Sequence, residues 1–245
     1  MANYEILNNI DHKDLKIDTK RCKEYGDDVW FTMTFPDEFR AAQAYYPIFF
    51  QKNAESGQFF PVALFGFTQN ENLFLDEDGW DAGYIPASIA RIPFAINRIV
   101  NTDNGVEEEQ RVLSIDMDNA RVNKENGLNV FEEFGGNSDY LESIADMMEA
   151  IHQGISQNQE FINCLTELNL LEPFTLDVEL NDQSKYQMVG FYTINETVLS
   201  QLSDSQITEL NKAGYLQAIH FQLASQGNIG NLLARKNKLL GLKRR

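Results

Sequence analysis

Two rhythms of hydrophobic residues divide the chain. In the first half, short apolar runs recur at residues 29–35 (VWFTMTF), 47–51 (PIFFQ), 59–67 (FFPVALFGF) and 72–75 (NLFL), each bounded by Pro, Gly, Asn or Asp. Runs of this length, rich in Phe and Val and closed by turn residues, predict strands. Between the first two lies PDEFRAAQAYY (36–46). There Pro36 suits the first helical position, Asp37 and Glu38 favour the positive helix end, and Ala41, Ala42 and Ala44 propagate a helical turn. Further strands are predicted at 92–98 and at 110–116 (QRVLSID), separated by a polar, Glu-rich loop over 101–109.

After GGNSD (135–139) the period changes. Asp139 and Glu142 are spaced as in a capping box, and Leu141, Ile144, Met148, Ile151, Ile155, Ile162 and Leu165 recur three or four positions apart. This predicts a helix of about 30 residues, weakened near Gly154 and ended before Pro173. The runs 174–180 and 186–194 around NDQSK predict a hairpin. Ser203 with Gln206 starts another capped helix that ends near Gly214. A last helix is predicted over 215–224, with Leu216, Ile219 and Leu223 as its buried stripe. The predicted fold class is α+β: an aromatic-rich mixed or antiparallel sheet in the N-terminal half and helices mainly in the C-terminal half. No linker demands a second domain. The expectation is therefore one domain over 1–245, with a sheet subregion at 1–136 and a helix-rich subregion at 137–245 that carries the hairpin at 174–194.

Composition sharpens this picture in two places. Residues 30–94 hold 16 of the 28 aromatic side chains, so that quarter of the chain is either very well packed or adhesive. Residues 235–245 hold six basic side chains (Arg235, Lys236, Lys238, Lys243, Arg244, Arg245) and no acid, whereas the whole chain carries a formal charge of −17. An acidic body repels phosphate backbones, which argues against general nucleic-acid binding. The basic end reads as a cationic helix terminus or as a group that docks on an acidic partner, anionic lipid or the protein's own acidic body. No run is long and apolar enough for a transmembrane segment, and the opening residues lack a secretory pattern, so the expected location is cytoplasmic. Cys22 and Cys164 lie far apart without a pairing pattern and read as two thiols of a reducing compartment.

The organisation is more legible than the chemistry. Glycine-rich phosphate cradles and nucleophile elbows are absent from the sequence. With three histidines and two cysteines, structural zinc is not expected, nor is any other cofactor. The one metal alternative is His12 and Asp14 joined by a distant histidine such as His220, the two-histidine, one-carboxylate set of iron(II) oxygenases. DEDGWD (76–81) misses the spacing of a calcium loop, and Asp116-Met117-Asp118 reads as a solvated turn. The segment 72–94 stands out, because Trp80, Tyr84 and Phe94 offer flat contact area and Arg91 a planar guanidinium. Those four are the candidate ligand-binding residues, for a peptide or an aromatic group.

The stretches 11–17 (DHKDLKI), 35–50 (FPDEFRAAQAYYPIFF), 59–75 (FFPVALFGFTQNENLFL), 79–94 (GWDAGYIPASIARIPF), 112–116 (VLSID) and 190–204 (GFYTINETVLSQLSD) together resemble the SapC family of bacterial proteins, named from a surface-layer locus. The permease of peptide import that shares the name is unrelated. The resemblance carries over His12, Glu38, Phe39, Tyr46, Pro47, Asn72, Trp80, Tyr84, Ile85, Pro86, Arg91, Pro93 and Phe94. One position departs, since Ala90-Arg91 stands where two arginines are frequent. The resemblance implies context: surface-layer operons, and genes beside TonB-dependent receptors, flavin-dependent tryptophan halogenases and cupin-like proteins. The first functional expectation is a non-enzymatic cytoplasmic accessory that binds a peptide or a protein partner, such as a pathway halogenase. The alternatives are an iron(II)- and 2-oxoglutarate-type oxygenase and a structural homo-oligomer subunit.

Overall fold

A computed structural model describes residues 2–103 and 106–242. In chain order the elements are β1 (Tyr4–Ile6), β2 (Lys16–Ile17), β3 (Phe31–Met33), a 3-10 turn (Pro36–Glu38) leading into α1 (Phe39–Ala42), β4 (Ile48–Lys52), β5 (Phe59–Leu64), β6 (Leu75–Asp76), β7 (Gly79–Trp80) and α2 (Ala87–Ala90). The second half continues with β8 (Phe94–Asp103), β9 (Val106–Asp116), β10 (Val122–Asn123), β11 (Leu128–Asn129), α3 (Asp139–Glu167), β12 (Leu171–Glu179), β13 (Lys185–Ile194), α4 (Glu196–Ser200), α5 (Asp204–Lys212), α6 (Tyr215–Ser225) and α7 (Asn228–Leu239). Among the described residues every strand pair is antiparallel, and the long helices lie in the C-terminal half, so the fold is α+β. The chain forms two compact units, residues 1–26 with 87–152 and residues 27–86 with 153–245. None of the three borders, after residues 26, 86 and 152, falls at residue 136, because strand pairing joins stretches far apart in sequence.

In the first unit, β9 pairs with β1 on one side and β8 on the other, and β2 pairs with both β10 and β11. The polar loop expected over 101–109 is mostly strand: β8 and β9 stay in register from Phe94↔Ile115 to Asp103↔Val106. Phe94, Ile115, Leu141, Ile144 and Met148 are buried here. So is Arg121, whose guanidinium sits 4.9 Å from the Tyr25 ring and donates to the carbonyl of Lys20. The cap of α3 is Ser138, one residue before the expected Asp139: its hydroxyl accepts from the Leu141 amide at 3.1 Å, while Glu142 accepts from Asn137. A serine oxygen reaches that third amide and also bonds the carbonyl of Asn129, which ties the helix start to β11.

In the second unit a five-stranded sheet runs β12-β13-β4-β5-β3. Ile48, Phe49 and Phe50 of β4 are consecutive and all buried, which requires cover on both faces of the strand. Phe49 stacks on Phe174 at 4.8 Å, and Phe50 faces Phe161 of α3 at 6.4 Å. Gly154 is explained by close approach: a Cβ there would overlap the ring of Phe35. The hairpin of β12 and β13 forms as expected, as does the Ser203/Gln206 capping box of α5. NLFL forms a turn, with only Leu75 entering β6, because Asn72 bonds the carbonyl of Asp27 and the Phe74 amide instead of a neighbouring strand. Of the expected stripe of α6, Ile219 is buried while Leu216 and Leu223 are half-buried, and Ala218, Gln222 and Ser225 complete the buried side. Gln222 donates to the carbonyl of Ile48 at 2.8 Å and the Ile48 amide donates to Ser225 at 2.9 Å, so the polar residues turn inward to serve the backbone of β4.

Candidate functional site

The turn at Pro36–Glu38 points the Glu38 carboxylate into the second unit, where it is buried. Its two oxygens accept from the hydroxyls of Thr34 at 2.5 Å and Tyr84 at 2.7 Å. The Tyr46 hydroxyl donates to the Tyr84 carbonyl and accepts from the Trp80 indole N–H at 2.8 Å. Trp80 meets Phe65 edge-on at 5.1 Å. The polar ends of Trp80 and Tyr84 are therefore spent on pinning segment 80–84 to the sheet-side residues Glu38 and Tyr46.

Burial pushes both phenols well above the ordinary value of 10.0, and for Tyr84 the adjacent Glu38 charge adds to the effect. In the first unit burial pushes Tyr140 up to about 12. Because the folded chain holds these protons where the unfolded chain has lost them, their contribution to stability is complete below about pH 10 and declines as pH rises further. In an absorbance titration of phenolate, Tyr46 and Tyr84 should ionise only as the chain unfolds. Tyr84→Phe should make stability fall less steeply above pH 10; a slope equal to that of the unsubstituted chain would refute this.

Beside the pinned segment lies a cleft of about 690 Å³. Its apolar lining is Ala44, Tyr45, Leu73, Phe74, Leu75, Ala234 and Leu239, and its charged residues are Asp76, Asp81, Arg235 and Lys238. Arg235 bonds Asp81 twice, to the carboxylate at 2.7 Å and to the carbonyl at 2.9 Å, and its guanidinium lies 4.4 Å from the centre of the Phe74 ring. At the next position of α7, Lys236 forms an ion pair with Glu71, both side chains nearly buried, and Glu71 also accepts from the Phe67 amide at 2.9 Å. Part of the basic end thus docks on the protein's own acids; Lys243, Arg244 and Arg245 lie outside the described residues. A second cleft of about 640 Å³ holds Asp37, Arg40 and Glu160, with Arg40 5.1 Å from the Phe221 ring.

The SapC family model matches residues 7–232. The chain belongs to the SapC family. No curated protein and no solved structure matches it significantly. Seen on the fold, the SapC motifs at Glu38, Tyr46, Asn72, Trp80 and Tyr84 are positioning residues, each bonded inside the second unit. Gly66 of the ALFG run admits the backbone of Glu71, which a Cβ would overlap.

The four sequence-predicted contact residues do not fall together in one unit. Trp80 and Tyr84 belong to the second, whereas Arg91 and Phe94 belong to the first. Phe94 is fully buried and packs near Tyr140 at 6.1 Å, so it serves the core and offers no surface to a ligand. Arg91 donates to the Phe94 carbonyl at 2.6 Å, and Arg21 bonds the carbonyls of Ile89 and Ala90. The metal alternative is not assembled either: among the described residues no three His, Cys, Asp or Glu side chains gather as a metal ion requires. His12 is buried, accepts from the Asn8 amide at 3.2 Å and meets Glu5 at 3.3 Å, while Asp14 and His220 are exposed. Asp116 accepts from the amides of Asn3 and Asp118, as a solvated turn does. Sequence reasoning missed the cleft lining on α7, although the basic cluster of residues 235–238 was a signal for it. Among the described residues no helix is long and apolar enough to cross a membrane.

Proposed function

We propose that this SapC-family chain works by binding: a non-enzymatic, cytoplasmic accessory protein that grips an extended segment of a peptide or partner protein in the cleft between residues 73–81 and α7. The observation that carries this reading is the composition of that cleft, an apolar floor with two acids and two cations at its edge. Ligand sites combine apolar lining with a few placed polar groups in this way. Opposed charges would give a bound chain direction and register, and Tyr45, Phe74 and the leucines would receive its side chains. The family context supports a pathway of surface-layer assembly, peptide modification or secretion, and a flavin-dependent halogenase as a partner to test. No observation favours the oxygenase reading.

A photo-crosslinking residue at Ala234, which is exposed and lines the cleft, tests the reading directly. Irradiation of the full chain with a purified flavin-dependent tryptophan halogenase and a peptide substrate should yield one discrete adduct. Ala44→Trp, which fills the cleft from the opposite wall, should remove it. An adduct of equal yield in the filled variant, or none in either, would count against the cleft.

A further inference from the structure

The two most exposed large hydrophobic side chains of the described residues are Phe134 (95%) and Ile10 (84%). The first unit brings their loops together, since the Asn9 side chain donates to the Gly135 carbonyl at 2.6 Å across 126 positions. Both loops are ordered by bonds of their own. Asn8 accepts from the amides of Ile10 at 3.0 Å and Asp11 at 2.9 Å. The Glu132 amide donates to Gly136 at 2.7 Å and the Gly135 amide to Glu132 at 2.9 Å, which closes a turn with Glu133 and Phe134 at its tip. Two apolar side chains are thus held out in water on loops that are bonded to each other, with exposed Asp11, Glu132 and Glu133 beside them in the sequence.

The complementary combination occurs at the end of α7. Leu239 and Leu240 are 68% and 46% exposed, Lys238 is exposed, and the sequence goes on as Leu242-Lys243-Arg244-Arg245. We propose that the Ile10–Phe134 corner is a docking surface for a second copy of this chain, with the basic, leucine-rich segment 238–245 as its occupant. Leucines would cover Ile10 and Phe134 while lysine and arginine meet Asp11, Glu132 and Glu133. An anionic membrane is the wrong occupant, because the same acids would face like charge. The formal charge of −17 opposes the approach of two copies, yet at physiological salt that repulsion is screened beyond about 8 Å, whereas pairing at the corner acts at contact. Corner and tail are different surfaces, so the association is head-to-tail and each copy offers one of each.

Analytical ultracentrifugation of the full chain tests this. Lys238 and Leu239 also line the cleft, so the tail variant is Leu240→Ser with Lys243→Glu, and the corner variant is Glu132→Lys with Phe134→Ser. Leu240, Glu132 and Phe134 are exposed, so both variants should fold, with circular dichroism matching the unsubstituted chain. The unsubstituted chain should gain mass with concentration up to roughly 1 mM, as a small and weak interface requires. Each variant alone should stay monomeric, and their equimolar mixture should stop at two chains, one intact corner on one intact tail. A monomer throughout, association that persists in either variant, or a mixture that stays monomeric would overturn the proposal.

Discussion

Lys236→Met should lower the stability of the chain by about 3–5 kcal/mol, because it strands a nearly buried carboxylate. Glu71 and Lys236 are 11% and 9% exposed, and the ammonium also lies 5.5 Å from the Tyr186 ring. Methionine restores most of the volume but none of the charge, so the penalty is that of Glu71 without its cation rather than that of a cavity. Urea unfolding should show a lower midpoint at unchanged slope. Adding Glu71→Gln should recover part of the loss, since the amide oxygen still accepts from the Phe67 amide and no ion remains unpaired. A cost for Lys236→Met below about 1 kcal/mol would mean that the pair behaves like an exposed one.

Glu38→Ala should cost about 2–5 kcal/mol and loosen the segment that borders the cleft. The hydroxyls of Thr34 and Tyr84 lose the acceptor that both use, and Tyr84 in turn holds Tyr46 through its carbonyl. Since Tyr46 accepts from the Trp80 indole, the change should reach Trp80, seen as a red shift of its emission. Glu38→Gln keeps an acceptor for Tyr84 and should lose less than half as much. Equal losses for Ala and Gln, with Trp80 emission unmoved, would show that the carboxylate does not organise the segment.

Much of the fold was legible along the chain, where the signal is local. The three- and four-residue spacing from Leu141 to Leu165 yields α3, the runs around NDQSK yield a hairpin, and Ser203 with Gln206 caps α5. Errors arose where a residue answers to a distant partner. Asn72 bonds Asp27 and so withdraws NLFL from a strand. Gln222 and Ser225 face inward because Ile48 has an amide and a carbonyl to satisfy. The binding candidates are also dispersed by distant partners: aromatic residues in a row look like one surface, but Trp80 and Tyr84 are tied into one unit and Phe94 into the core of the other.

By itself, then, the sequence determined the α+β class, the helices α3, α5 and α6 and the family, because periodicity, caps and motif order are properties of neighbouring residues. Only the tertiary structure decided which motif side chains turn inward, that Arg235 and α7 close one wall of a cleft, and that the loops of exposed Ile10 and Phe134 are joined. The reason is that a buried polar atom must find a partner wherever the fold offers one, and residues as far apart as 71 and 236 become neighbours only when sheet and helices pack.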